Sequence, residues 1–126
     1  MPDRTASLLT RNLHEVFGEA DAARRRAAIA ALFTADVVFA DAEGSRTGHE
    51  ALDSFVADLL ARSPGWVFQA SGPAQGVQDA GRLAWGFGPP GEPPRVTGLD
   101  VVLVREEKIA VLYTFIDPPA LDPPAP

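Results

Sequence analysis

The apolar positions in the first third of the chain predict two helices. Between residues 8 and 17 they recur at helical spacing, and Thr5 or Ser7 can cap the helix N-terminus. Asp21 follows a glycine-containing break and can cap a second, alanine-rich helix. Three consecutive arginines, residues 24–26, lie on that helix, and we expect them to form a solvated face.

A short strand and a third helix follow. Val37–Phe39 is β-branched and aromatic and precedes the turn-forming residues 41–44, which predicts a strand that ends in a turn. Thr47 and Glu50 have the spacing of a capping box, in which the hydroxyl and the carboxylate each bind a free backbone N–H. The apolar stripe behind them predicts a helix that ends at Pro64.

The second half of the chain has the short β-rich runs of an antiparallel sheet. Its two longest runs, 96–105 and 108–116, are separated by two residues and predict a hairpin. Three shorter candidate strands precede them, at residues 66–70, 74–78 and 82–87. The pattern therefore predicts one α+β domain over residues 1–117, with three N-terminal helices on one face of a mostly antiparallel sheet. Residues 118–126 form a Pro-rich tail.

Composition narrows the class of protein. A chain of 126 residues, 46% apolar, supports a single core. The absence of cysteine excludes disulfides, a thiolate nucleophile and cysteine-ligated metals. The net charge of −6 argues against nucleic-acid binding. We see no signal peptide or membrane segment and expect a cytoplasmic protein. Ten arginines against one lysine are typical of a GC-rich, bacterial genome.

Two aspartates stand among apolar strand residues. Asp41 ends the strand that contains Phe39, where it can act as a general base at the edge of a cavity or cap an Asx turn. Asp100 interrupts an apolar run and needs a partner or a proton. It can be a neutral acid that donates to a developing enolate oxygen, an ion-pair partner of Arg82 or Arg95, or a residue outside the strand in solvent.

Histidines and aromatic residues supply the remaining candidates. His14 lies one step off the apolar stripe of the first helix, where it can flank a cavity or simply be a surface residue. His49 is expected to be exposed, and neither histidine has carboxylates at metal-ligand spacing. Tyr113 supplies a hydroxyl if its strand face points inward, which alternation alone leaves open. The candidate substrate-binding residues, with core packing as their alternative role, are Phe39, Phe55, Trp66, Trp85 and Tyr113.

Several strings resemble a known family. Together with the order of elements, they are similar to the nuclear transport factor 2-like superfamily, in its SnoaL-like polyketide cyclase and ketosteroid isomerase branch, over roughly residues 8–118. That superfamily includes isomerases, cyclases, hydrolases, dehydratases and non-catalytic members, so the resemblance implies a fold more than a reaction. The matching strings are Ala31–Phe39, Asp41–Gly48, Thr97–Val101, Lys108–Ala110 and Phe115–Asp117.

The resemblance implies a cone-shaped α+β barrel with a strongly curved sheet. Its open end would admit a small apolar ligand, and a homodimer would form through the sheet. Ketosteroid isomerase uses one carboxylate as the base and a second, protonated one as a hydrogen-bond donor, beside a tyrosine. Local matching places Asp41 at the position of the base and Asp100 at that of the protonated acid. The tyrosine position falls near Leu13 or His14, so that hydroxyl is absent.

Three functions remain open. The leading one is a cofactor-independent enzyme of isomerase or cyclase type that acts on a small hydrophobic carbonyl compound. Asp41 would be its base and Asp100 its oxyanion donor or second acid, with His14 or Tyr113 assisting. The second is a non-catalytic ligand-binding or dimerisation module, in which both aspartates point away from the pocket. The third is epoxide-hydrolase-like water activation, which needs an arginine between two carboxylates. In each case we expect no metal, nucleic acid or membrane partner.

Overall fold

The computed structural model describes residues 3–118, in which helices pack against a seven-stranded sheet. The helical elements are α1 (Arg4–Arg11), a π-helical segment (Asn12–Phe17), α2 (Ala22–Leu32) and α3 (His49–Arg62). The strands are β1 (Phe33–Asp41), β2 (Gly44–Thr47), β3 (Val67–Ala70), β4 (Gln75–Val77), β5 (Ala80–Gly88), β6 (Val96–Arg105) and β7 (Lys108–Ile116).

The first predicted helix forms, but it starts earlier and changes its winding. Asp3, and neither Thr5 nor Ser7, caps α1, because its carboxylate accepts the backbone N–H of Thr5 at 2.9 Å. After Arg11 the helix widens into the π-helical segment. π-Helical segments are rare in proteins overall, but where they occur they are often at functional sites. The wider turn changes the direction of the side chains that follow.

The other two helices differ at their caps. Asp21 caps α2 as predicted, since its carboxylate accepts the N–H of Arg24 at 2.9 Å. The predicted capping box is wrong. Thr47 belongs to β2, and Gly48, with a φ of 94°, stands at the N-cap of α3 without a side-chain cap. Glycine suits this left-handed position because it has no Cβ.

The sheet has the strand order β2-β1-β7-β6-β5-β3, with β4 paired to β5. All pairs are antiparallel except β1 with β7. The predicted hairpin of β6 and β7 is confirmed at both strand boundaries. Its two turn residues, Glu106 and Glu107, both have positive φ, as a type I′ turn requires. A bulge interrupts the pairing, because Val104 pairs with Ile109 but Leu103 pairs with Val111.

The α+β class is confirmed, and two details of the predicted architecture are corrected. The third helix follows β1 and β2, so the helices are not all N-terminal to the sheet. The end strands β2 and β3 are not paired in the described chain, and the sheet is not strongly curled as a cone-shaped barrel requires. The predicted tail lies outside the described residues beyond Pro118.

Candidate active site

A cavity of about 150 Å³ lies between the helices and the inner face of the sheet. Most of its lining is apolar, and four polar side chains interrupt it: Asp41, Ser63, Asp100 and Thr114. The cavity combines an apolar wall with a few polar groups, as small-molecule sites do. Its apolar lining residues are Leu13, Phe17, Phe39, Phe55, Leu59, Trp66, Phe68, Trp85, Phe87, Val96 and Ile116.

The aromatic side chains of this wall pack against each other. Phe39 and Phe55 make an edge-to-face contact with ring centroids 4.8 Å apart. Phe68 stacks on Phe87 at 4.1 Å and contacts Trp85 edge-to-face at 5.5 Å. These are the preferred geometries of aromatic pairs, which contribute stability beyond their buried area. The wall is therefore a connected cluster of rings.

Asp100 is the most buried polar group of the cavity, with 4% of its surface exposed. It lies within β6, opposite Thr114 of β7. Its Oδ1 accepts two hydrogen bonds, one from the indole Nε1 of Trp85 and one from the Thr114 hydroxyl, each at 2.9 Å. Within the described chain both donors bind the same oxygen, which leaves Oδ2 for a ligand.

Burial raises the pKa of Asp100 to about 6, while the hydrogen bonds from Thr114 and Trp85 lower it in part. The shift arises because both donors are neutral. They compensate a negative charge less well than the water that burial removes. Arg82 and Arg95, the predicted ion-pair partners, are exposed and do not line the cavity. Asp100 is therefore a carboxyl group that exchanges its proton close to neutral pH.

Asp41 ends β1 and lines the same cavity in a half-buried position. Its Oδ1 accepts the backbone N–H of Glu43 at 3.0 Å, which is the Asx turn considered in the sequence. Its Oδ2 lies 3.6 Å from Nη1 of Arg46 on β2. Asp41 thus fills both roles that its position allowed: it closes the turn and presents a carboxylate to the cavity.

Arg46 was not anticipated. It pairs with Phe39 across β1 and β2, and its guanidinium carbon lies 4.6 Å from the ring centroid of Phe55 and 5.6 Å from that of Phe39. These cation–π contacts hold the guanidinium beside Asp41. The sequence signal was hidden because β2, a four-residue strand of polar and small residues, looks like a turn.

Two of the predicted site residues lie elsewhere. His14 is exposed on the π-helical segment and does not line the cavity. Tyr113 is 43% exposed on the outer face of the sheet. A two-residue turn without a bulge would pair Tyr113 with Asp100, but the bulge shifts the register by one residue and brings Thr114 there instead. The expectation that either side chain faces the cavity is corrected.

The other predicted residues come together as expected. Phe39, Phe55, Trp66 and Trp85 all line the cavity with Asp41 and Asp100. The residues that sequence reasoning missed include Phe17, placed by the unpredicted π-helical segment, and Thr114, placed by the unpredicted bulge.

Outside the cavity, two further expectations are corrected. Arg25, from the run assigned to a solvated face, is 3% exposed and binds Asp53 of α3. His49 is half-buried, and its Nε2 donates to the carbonyl oxygens of Phe33 and Thr34. Residues 3–118 contain no group of three or more potential metal ligands. None of the described helices is long and apolar enough to cross a membrane.

Comparison with known proteins agrees with the fold described above. The family model described as a SnoaL-like domain matches residues 11–112. Curated proteins give no significant match. Among solved structures, the chain is similar to a candidate isomerase of the SnoaL-like family from Agrobacterium tumefaciens str. C58, at 21% identity and a TM-score of 0.83, over 91% of this chain and 98% of that one.

Two further structures share the fold at lower identity. A candidate ketosteroid isomerase from Kribbella flavida DSM 17836 has 17% identity and a TM-score of 0.74, over 98% of this chain and 84% of that one. A candidate SnoaL-like polyketide cyclase from Jannaschia sp. CCS1 has 13% identity and a TM-score of 0.74, over 90% and 85%. NTF2-like proteins of unknown function also match. At these identities the likeness concerns the fold.

Proposed function

This chain belongs to the SnoaL-like domain family, and we propose that it is an enzyme of isomerase or cyclase type that moves a proton on a small hydrophobic carbonyl compound. The chemistry needs a base that removes a proton next to the carbonyl and a donor that binds the oxygen as negative charge develops there. Asp41 and Asp100, which line one cavity, supply these two functions without a cofactor.

Asp41 is the base in this proposal. Its carboxylate is less buried than that of Asp100. Arg46, 3.6 Å from Oδ2, positions the carboxylate, and the N–H of Glu43 holds the other oxygen. A substrate proton would pass to Asp41 and return from it to a different carbon, which is an isomerisation. In a cyclase, the enolate carbon would instead attack a second carbonyl carbon of the same substrate, and the oxygen of that broken C=O π bond would take the proton back from Asp41.

Asp100 is the oxyanion donor. With both neutral donors on Oδ1, its protonated form presents the Oδ2 hydroxyl to a substrate oxygen. The pKa of about 6 means that this form is abundant below pH 6 and declines above it. A ligand that displaces remaining water raises the pKa of Asp100 further, because burial is the cause of the shift.

The presence of both carboxyl groups in one aromatic cavity carries the proposal. A non-catalytic binding module predicted that both would point away from it. Epoxide-hydrolase-like water activation needs an arginine between two carboxylates. Arg82 and Arg95 do not line the cavity, and Arg46 lies beside Asp41, whereas the partners of Asp100 in the described chain are both neutral. The geometry therefore favours acid–base chemistry over both alternatives.

The experiment is deuterium exchange from D2O into a panel of one-, two- and four-ring ketones, followed by NMR. We expect exchange next to the carbonyl, and a decrease of about 10²- to 10⁴-fold in Asp41→Asn, the usual size of a general-base contribution. Asp100→Leu should lose about 10²-fold or more. Asp100→Asn, whose amide N–H can donate, should keep more activity than Asp100→Leu and lose the decline above pH 6.

The matched control is Asp53→Asn, a buried aspartate outside the cavity, which should exchange at the wild-type rate per folded molecule. Wild-type exchange in Asp41→Asn would refute the role of Asp41. An unchanged pH profile in Asp100→Asn would refute the role of Asp100.

A homodimer is the second part of the proposal. The outer face of β6 and β7 is apolar where Leu99 pairs with Phe115 and Val101 with Tyr113, and Phe115 is 57% exposed. Such a contiguous apolar face favours association with a second copy through the same strands. Sedimentation equilibrium should give a dimer that Tyr113→Asp dissociates. Val77→Asp, at an exposed apolar position on β4, should leave it intact.

A further inference from the structure

We infer that the cavity selects a substrate with a single ring and that Phe17 sets this limit. The inference rests on the proposed function for the carbonyl group and on the geometry of the cavity for the size. Its starting point is the volume of about 150 Å³. An engineered cavity of that size holds benzene, whereas sites for drug-sized ligands measure about 300–1,000 Å³.

Phe17 occupies the centre of the aromatic cluster. Its ring centroid lies 5.9 Å from Phe39, 6.5 Å from Phe55 and 6.1 Å from Phe68, all in edge-to-face geometry. Phe39 and Phe55 make cation–π contacts with the guanidinium of Arg46. On the other side Phe68 contacts Trp85, whose indole binds Asp100. Phe17 is thus the ring that connects the rings beside Asp41 to the rings beside Asp100.

The ring of Phe17 is held in place. It is buried, it sits at the end of the π-helical segment, and it contacts rings from β1, α3 and β3. Moving it to admit a larger ligand would break three aromatic contacts at once. Side chains packed at crystal-like density do not yield such space without a rearrangement of their neighbours. Phe17 is therefore a fixed part of the cavity wall.

The polar groups define the rest of the ligand. Oδ2 of Asp100 suits one carbonyl oxygen, and Asp41 suits one acidic C–H, so the ligand needs one ketone with a C–H next to it. A fused second ring needs more volume than the cavity offers, and Phe17 is part of the wall that restricts this volume. The substrate class is a monocyclic ketone of about seven non-hydrogen atoms, which is the size of benzene with one added oxygen.

The test measures binding and not turnover. Trp66 and Trp85 are the two tryptophans of the chain and both line the cavity, so their indole N–H signals in ¹H–¹⁵N spectra report occupancy. The probes are 2-cyclohexen-1-one, with one ring, and 1-tetralone, with two. Wild-type protein should bind the first and show no saturable shifts with the second.

Phe17→Ala should gain affinity for 1-tetralone by about tenfold or more, because each additional buried methylene contributes about a factor of four. Phe17→Leu, a milder change, should gain less and serves if the alanine variant does not fold. Val16→Ala is the matched control, because Val16 is fully buried in the same segment but does not line the cavity. It should leave both affinities unchanged.

Tight binding of 1-tetralone to wild-type protein would overturn the inference, as would equal affinities in wild type and Phe17→Leu. Size-selective binding without Asp41-dependent deuterium exchange would contradict the proposed function and leave the size limit standing. Asp41-dependent deuterium exchange in four-ring ketones would support the proposed function and overturn the size limit.

Discussion

Asp53 and Asp100 are both buried carboxyl groups, but the protein surrounds them with opposite partners. Asp53 lies between α2 and α3, where its two oxygens accept from Nε of Arg25 at 2.6 Å and Nε of Arg26 at 3.1 Å. Burial raises the pKa of Asp53, but the hydrogen bonds from the two arginines outweigh it and the net shift is downward. At Asp100, two neutral donors leave the upward effect of burial dominant.

Asp53 has a structural role, whereas Asp100 has the surroundings of a carboxyl group that takes part in proton transfer. Arg25 is 3% exposed and also donates to the backbone carbonyl of Glu19 at 2.8 Å, so the Asp53 cluster connects two helices and a turn. Because its pKa is lowered, Asp53 stays ionised at neutral pH. Asp100 can exchange a proton near neutral pH, and it faces a cavity. Burial alone does not mark a functional acid, whereas burial without a charged partner, at a cavity wall, does.

Among the variants that test this contrast, Asp53→Ala is expected to lose the most stability. Removing the carboxylate leaves Arg25 buried without its partner, and breaking a buried pair in this way typically costs about 3–5 kcal/mol. Urea denaturation should show that loss in the free energy of unfolding. The indole N–H signals of Trp66 and Trp85 should not move in the folded protein, because Asp53 does not line the cavity.

Arg26→Ala is the control for that variant. The Arg26 side chain is 69% exposed, so removing it leaves the inner pair intact and should cost far less. If Asp53→Ala proved no more destabilising than Arg26→Ala, the helix cluster would not be the structural site that the comparison takes it to be.

Asp100→Asn is expected to increase the free energy of unfolding, by less than Asp53→Ala lowers it. In the folded protein the pKa of Asp100 is about 6, against 3.8 in the unfolded chain. The folded state therefore holds its proton more tightly, and this stabilisation is complete below pH 3.8 and is lost as the pH rises through 6. The difference corresponds to about 3 kcal/mol. Asparagine keeps the oxygen that accepts from Trp85 and Thr114 but never ionises.

Asp100→Asn should consequently be more stable than wild type at pH 7.5, by at most about 3 kcal/mol, and should equal it near pH 4. The measurement is the free energy of unfolding across this range. Asp53→Asn provides the contrast. Because the pKa of Asp53 is lowered, the stability that it contributes is lost only as the pH falls below 3.8. A stability difference for Asp100→Asn that did not change between pH 4 and 7.5 would contradict the raised pKa.

The two sites also differ in how far the sequence predicted them. Asp100 and Asp41 stand out because apolar strand residues flank them, and the aromatic residues beside them follow from strand alternation. The Asp53 cluster had a signal of a different kind. Arg25 lies three and four residues before Ala28 and Ile29, so helical periodicity places it on the buried stripe of α2. Its charge favours a solvated face instead, and only the packing of α2 on α3 shows that Asp53 is its partner.

The strand boundaries of β6 and β7 were predicted, but their exact register was not. One additional residue, Ala110, lies between Ile109 and Val111 without a partner in the register, and this bulge exchanges Tyr113 for Thr114 opposite Asp100. No local propensity marks the bulge, because Ala110 fits either pairing. A slip of one residue reverses which side chains of β7 face the cavity, so this bulge determines that Thr114 and Ile116 line it.

The finest test of the contrast is Thr114→Val, which removes one of the two neutral donors and keeps the shape of the side chain. Its hydrogen bond stabilises the ionised carboxylate, so its loss should raise the pKa of Asp100 above its value of about 6. Hydrogen bonds to charged groups contribute about 1.5–3 kcal/mol, which predicts a rise of about one to two pKa units. The carboxyl ¹³C shift of Asp100 measures it.

Thr97→Val is the matched control, since the Thr97 hydroxyl donates to Asp117 at 2.7 Å on the same sheet but in an exposed position. An unchanged pKa in Thr114→Val would mean that the second donor, Trp85, alone maintains the ionised form, and the contrast with the doubly paired Asp53 would then depend on a single hydrogen bond.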